Sequence, residues 1–248
     1  MELNIELANS NSRTVISDSY FTSPFKIAKP FYNKVSTEIM IMTATAGIMK
    51  GDNYKIKIKS KESTNSVITN QSYSKIFNTG DGSASQKLTI EVDSNAAIAW
   101  IPKPTIPFKD STYVSESVIS LKKDSRLFYC DILAGGRVGM GEMLEMNKYH
   151  SRTLVLLENK PIFLDNSLFE KGGADYRGLG YLEDYSHQGT VYMYGYRKPI
   201  LPECIEKMTA SISDAPNGVC VRMAGASGDL LYSYVRYLYH LVSGENNE

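Results

Sequence analysis

The chain has 248 residues, enough for one large domain or two small ones with a sizeable core. Its 27 basic and 27 acidic side chains cancel, and neither half carries the basic surface that neutralises a phosphate backbone, which argues against nucleic acid as a partner. No apolar run reaches the ~18 residues of a membrane span. The start, MELNIELANSNSR, is polar and acidic and lacks the basic and apolar parts of a secretion signal, so the expected location is the cytoplasm. Cys130, Cys204 and Cys220 are odd in number, far apart and form no C-x-x-C, so no disulfide framework is expected.

In chain order, the first two thirds read as strands. EIMIMTA (38–44), YKIKIKS (54–60) and QKLTIEV (86–92) alternate between apolar and polar residues, the period of a half-buried strand. AAIAWIP (96–102) is more continuously apolar and stops at Pro102. YVSESVISL (113–121), RLFYCDILA (126–134) and RTLVLLENKPIFLDNSLF (152–169) continue the series, the last folding back as a hairpin at Glu158–Lys160. Turn clusters separate them: AGIMKGDN, NTGDGS, VDSN and FKDS. This pattern predicts a mainly β architecture of stacked sheets or coils. No internal repeat is evident.

The stretch 170–190 holds glycines 172, 173, 178, 180 and 189 and little periodicity, which reads as a long loop or arm. A helical part is expected over 202–244. Pro202 can open a first helix across 202–214. SGDLLYSYVRYLYHLVSG (227–244) is a clearer one, capped by Ser227, with Asp229 in its first turn and Gly244 at its end. Leu230, Tyr234, Tyr237, Leu238 and Leu241 recur at helical spacing.

The run RLFYCDILA leads into GGRVGMGE (135–142), a strand entering a glycine-rich turn as nucleotide loops do. Gly136 and Gly141 have the phosphate-loop spacing, but Glu142 stands where a lysine should reach the phosphates. The dinucleotide pattern begun by Gly139 and Gly141 fails at Leu144. A tight strand connection, with glycines for positive φ, is the expected reading. GDN (51–53) and GDG (80–82) do not continue as calcium loops. His150, His187 and His240 have no His or Cys at ligand spacing, so no tight metal site is encoded. His150 with Asp131 or Glu142 is the one grouping that could hold a metal weakly. Without a standard catalytic constellation, a scaffold or binding partner is a better expectation than an enzyme.

Several ordered segments resemble the UreD (UreH) family of urease accessory proteins: KPFY (29–32), TAGIMKGDNYKIKI (45–58), SYSKIF (72–77), QKLTIEVDSNAAIAWIPKPTIPF (86–108) and DILAGGRVGMGEML (131–144). VCVRMAGASGDLLYSYVRYL resembles the family's closing segment. Ala46, Met49 and Lys50 depart from the commoner residues, whereas Gly47, Gly51 and Asp52 fit. The resemblance implies a single domain over 1–248, a β-helix-like coil of stacked sheets with two helices near the C-terminus. It implies a non-enzymatic chaperone for metallocentre assembly. Its partners would be a UreF-like chaperone, through it a UreG-like GTPase, and urease apoprotein. Nickel would be in transit rather than bound tightly as a cofactor.

A transit path calls for scattered ligands without a cage. Asp131, Glu142, Arg137, Asp52, Ser74 and His150 are the candidate channel or structural polar residues. Asp131 leads, because a carboxylate inside an apolar strand needs either a partner such as Arg137 or an aqueous passage. Tyr232, Tyr237, Tyr239, Tyr176 and Tyr181 are the candidate partner contacts, since tyrosine gives apolar area with a polar tip. The alternative expectation is a β-helical carbohydrate-active enzyme or a ligand-binding module.

Overall fold

In a computed structural model of the chain, the structure describes residues 1–202 and 205–244. Cys204 and residues 245–248 lie outside the described residues. The chain opens with a hairpin of β1 (Glu2–Ser10) and β2 (Arg13–Phe21), in which Leu3, Ile5 and Leu7 alternate into the core. The short strands β3 (Phe25–Ile27) and β4 (Phe31–Tyr32) lead to β5 (Thr37–Thr43).

The backbone then winds. β6 (Asn53–Ser60), β7 (Asn65–Asn70) and β8 (Ser74–Ile76) form one turn. β9 (Ala84–Val92), β10 (Ala97–Trp100) and β11 (Thr105–Pro107) form the next. β12 (Thr112–Leu121) and β13 (Arg126–Ala134) begin a third, and β14 (Lys148–Leu157) starts a fourth before it folds back into β15 (Lys160–Glu170). The result is a β-solenoid of about four turns. Parallel pairing joins β1, β6, β9, β12 and β14 on one side and β5, β7, β10 and β13 on the other. The second sheet is extended antiparallel by β16 (His187–Tyr194) and by the hairpin β17 (Met208–Ala215) and β18 (Gly218–Gly225).

Register stacks like on like. Ile58, Ile90, Ile119 and Val155 pair in succession on one side, and Ile39, Ile68, Trp100, Tyr129 and Tyr192 on the other. Both columns meet in one core between the sheets. The rungs recur roughly every thirty residues, so a solenoid repeat exists in space although the sequence does not spell it. Each rung needs only an apolar side chain of suitable size. The alternation of β6 has a plain cause: Tyr54, Ile56 and Ile58 face the core, while the intervening lysines face water. There Lys57 pairs with Glu91 at 2.8 Å across the rungs.

The central strands of the second sheet are buried on both faces, which explains their continuous apolar runs. Leu127, Tyr129 and Leu133 of β13 point into the coil, whereas Phe128, Cys130 and Ile132 point outward beneath α1 (Gly228–Ser243). Ser227 caps that helix, its Oγ accepting from the Leu230 amide at 3.2 Å, and Gly244 ends it in the left-handed region. The buried stripe is Leu231, Tyr234, Val235, Leu238 and Tyr239, rotated from the expected one, so Tyr237 and Leu241 face solvent. Each fully buried aliphatic side chain of that stripe contributes roughly 1.5–3 kcal/mol.

The expected second helix over 202–214 is not formed. Met208–Ala215 is an edge strand paired with β18, and residues 203 and 204 lie outside the described residues. The sequence there allows a helix start at Pro202, but the neighbouring β18 offers a full ladder of backbone partners. The glycine-rich arm is narrower than 170–190. β15 runs to Glu170 and β16 begins at His187, leaving a turn-rich segment over 171–186. It is tied down by Tyr176, whose hydroxyl accepts from the Glu170 amide at 3.0 Å and whose ring packs on Phe169. No described helix is long and apolar enough to cross a membrane.

Candidate functional site

The coil is not filled along its whole length. A cavity of about 280 Å³ lies between the sheets. Strand alternation decides its chemistry. On β12 the inward positions 113, 115, 117, 119 and 121 are Tyr, Ser, Ser, Ile and Leu. The polar half lines the cavity and the apolar half belongs to the core. Tyr54, Gln86 and Tyr149 add further polar groups from the same sheet, and Trp100, Tyr129 and Asp131 face them from the other. The rim is made by segments 43–48, 70–75 and 102–105, where Thr45, Ala46, Gln71 and Ser72 are exposed. Gly47 is required at this rim, because a Cβ there would meet the Lys75 carbonyl oxygen at 2.6 Å.

The polar lining is ordered. The Tyr129 hydroxyl lies 3.1 Å from both Ser117 Oγ and Thr153 Oγ1, bridging the two sheets. Ser151 Oγ donates to Asp131 Oδ2 at 2.8 Å. Asp131 is half-buried, and it lines the interior space. Burial holds its carboxyl above the usual carboxylate range; the Ser151 hydrogen bond opposes this and the nearby Asp165 charge reinforces it. Burial also pushes the neighbouring Cys130 thiol well above its ordinary value, as expected for an inert core cysteine.

A second, much smaller cavity of about 10 Å³ lies beyond Asp131, the scale of a single water molecule. Asp131 and Tyr149 line both cavities, so they form the wall between them. The far side of the small cavity is made by Asp165 and Ser167 of β15 and by Gln188 and Thr190 of β16.

The sequence candidates divide clearly. Asp131 and Ser74 line one cavity. Asp52 instead closes a turn, its Oδ2 accepting from the Met49 amide at 2.9 Å. Arg137 does not reach Asp131. Its guanidinium grips Glu142 with two nitrogens and lies over the Phe108 ring, 4.5 Å from the centroid. This pair staples the GGRVGMGE connection, in which Val138–Met140 form a single 310 turn. Gly136 takes φ 129°, where an added Cβ would stand 3.0 Å from the Glu142 carbonyl oxygen.

His150 is not grouped with Asp131 or Glu142. It sits one residue out of phase with the inward Ser151, and its Nε2 lies 2.8 Å from Asn166 Oδ1 on the outer face. Among the described residues no three His, Cys, Asp or Glu side chains are placed to hold a metal ion together. Of the tyrosines, Tyr239 is buried against Phe128 and presents almost no surface, which corrects its expected role as a surface contact. Tyr237 and Tyr181 are exposed, while Tyr232 and Tyr176 are half-buried. Tyr113, Tyr149, Ser151, Asp165 and Arg222 were not singled out by the sequence. The inward parity of β12 and β14 was the signal that could have found the first three.

The family model for the UreD urease accessory protein matches residues 1–247. The urease accessory protein UreD of Acetivibrio thermocellus is 33% identical over 246 residues, covering 94% of this chain and 93% of that protein. The urease accessory protein UreH of Helicobacter pylori strain G27 is 33% identical over 231 residues, covering 90% and 87%. UreD of Flavobacterium johnsoniae is 27% identical over 248 residues, covering 95% and 89%. On a match that spans nearly its whole length, this chain belongs to the UreD family of urease accessory proteins.

Proposed function

We propose that the chain serves urease maturation as a non-catalytic scaffold and conduit. It docks on urease apoprotein, carries a UreF-type chaperone and, through it, a UreG-type GTPase, and gives nickel a guarded path towards the enzyme. Family membership supports the accessory role in urease maturation. The observation that carries the conduit reading is Asp131, a carboxylate enclosed in the coil at the wall between two cavities. A dication in transit needs oxygen ligands that hold it briefly. Phenol and alcohol oxygens around one carboxylate offer weak coordination, whereas a closed set of strong ligands would retain the ion. Of the five tyrosines expected at a partner contact, Tyr237 and Tyr181 are the exposed ones.

The test is reconstitution. The chain is co-purified with the UreF- and UreG-type proteins of the same source, and apo-urease is activated with nickel and GTP. A stable complex that activates urease, with activation reduced at least about tenfold by Asp131→Ala, is the expected result; a tenfold loss corresponds to about 1.4 kcal/mol. Urease that matures equally well without the chain would remove the scaffold reading. Full activity of Asp131→Ala would remove the conduit alone.

A further inference from the structure

The small cavity beyond Asp131 has its own cover. β15 is the terminal strand of its sheet and shares no ladder with β16, so the seam between them is closed by side chains. Phe163 stacks on Tyr192 with ring centroids 4.2 Å apart and seals one part of the seam. Arg222 of β18 spans the part beside the small cavity. Its Nη2 donates to Asp165 Oδ1 at 2.6 Å, and its Nη1 donates to Thr190 Oγ1 at 3.2 Å. Asp165 and Thr190 both line the small cavity. The Asp165 side chain is 16% exposed, whereas that of Arg222 is 57% exposed, so the guanidinium lies on the solvent side.

We infer that Arg222 is a removable clasp over a second mouth of the interior, and that passage through this mouth requires Asp165 to release it. The inference rests on the conduit reading and adds its control point. Three features fit a clasp better than a fixed strut. No backbone hydrogen bonds join β15 to β16, so opening the seam breaks only side-chain contacts. A planar guanidinium can engage both sheets at once, which an ammonium cannot do with the same geometry. A fixed positive charge across the mouth repels a dication, so a cation passes this mouth only when Asp165 exchanges the guanidinium for it. The closed clasp therefore blocks the mouth by shape and by charge.

The test uses the full chain. Ser167 lines the small cavity. In the Ser167→Cys variant, the rate of modification by methyl methanethiosulfonate is read by mass spectrometry of the peptide containing that position, with and without Arg222→Gln. Modification about tenfold faster or more with Arg222→Gln is expected, a factor equivalent to about 1.4 kcal/mol of opening. Equal rates overturn the clasp. Arg222→Lys, which keeps the charge but loses the two-armed reach, is expected to fall between them, and it replaces Arg222→Gln if that chain fails to fold. Nickel-dependent urease activation by the same variants separates the two ideas. Faster modification with unchanged activation keeps the clasp and removes this mouth from the nickel path. Unchanged modification, with activation still sensitive to Asp131→Ala, removes the clasp and leaves the conduit.

Discussion

Ser151 reaches across the interior from β14 and donates its hydroxyl proton to Asp131 at 2.8 Å, the one hydrogen bond found for that carboxylate among the described residues. A single neutral donor offsets only part of the cost of burying a charge. Ionised Asp131 therefore costs stability where it stands, and this has a measurable pH signature.

Burial raises the Asp131 carboxyl above its ordinary value, so the native chain binds this proton more tightly than the unfolded chain does. The group's contribution to stability is greatest below the unfolded value and is lost as pH rises through the raised native value. Asp131→Asn cannot ionise. Its melting temperature is expected to equal or exceed the parent's at pH 7, with the difference closing towards acid, while nickel-dependent urease activation falls. Parallel melts across pH check this. A loss of stability at pH 7 that closes towards acid would mean that the charge is structurally required.

The C-terminal helix separates two tyrosines that look alike in sequence. Tyr239 is buried against Phe128, and Tyr237 lies open. Tyr239→Ala is expected to cost about 3–5 kcal/mol, the usual range for removing a buried aromatic ring. Tyr237→Ala should stay within about 0.5 kcal/mol. Urea unfolding of the full chain measures both. If Tyr237→Ala weakens co-purification with the UreF-type partner while stability holds, its surface is a contact.

The Arg137 guanidinium holds Glu142 below the usual carboxylate range, chiefly through the hydrogen bonds between them. The pair's contribution is present above the unfolded value and is lost as pH falls through the depressed native value. Glu142→Gln should accelerate amide hydrogen exchange in the 135–144 connection and move the global melting midpoint by no more than about 2 °C. Exchange that stays unchanged would show that the glycine backbone holds the turn without the pair.

The strands with one wet face were legible in the sequence, because a half-buried strand must alternate; β6 and β9 are the clearest cases. β13 was legible as a strand, but the reason for its unbroken apolar run was not, since that depends on a helix about a hundred residues later in the chain. β1 alternates as cleanly as β6 through Leu3, Ile5 and Leu7, yet its polar composition masked it. β17 buries only Met208, so little pattern was available to overrule a helix. At the site, a charge within an apolar strand marked Asp131. His150 was grouped with it by proximity in sequence, although the alternation of β14 already turned it outward. Arg222 and Asp165 are 57 residues apart, and only the closing of the coil brings them together.

The placement of α1 has a consequence for how the chain is made. The ribosome releases every strand of the second sheet before it releases the 16 residues that cover it. During that interval Phe128, Ile132, Val191 and Val221 present a bare oily plane, and a chain interrupted before Gly228 keeps it permanently. Such a truncated product would be expected to clump or be degraded, so a nonsense change just before Gly228 would be as damaging as one far upstream.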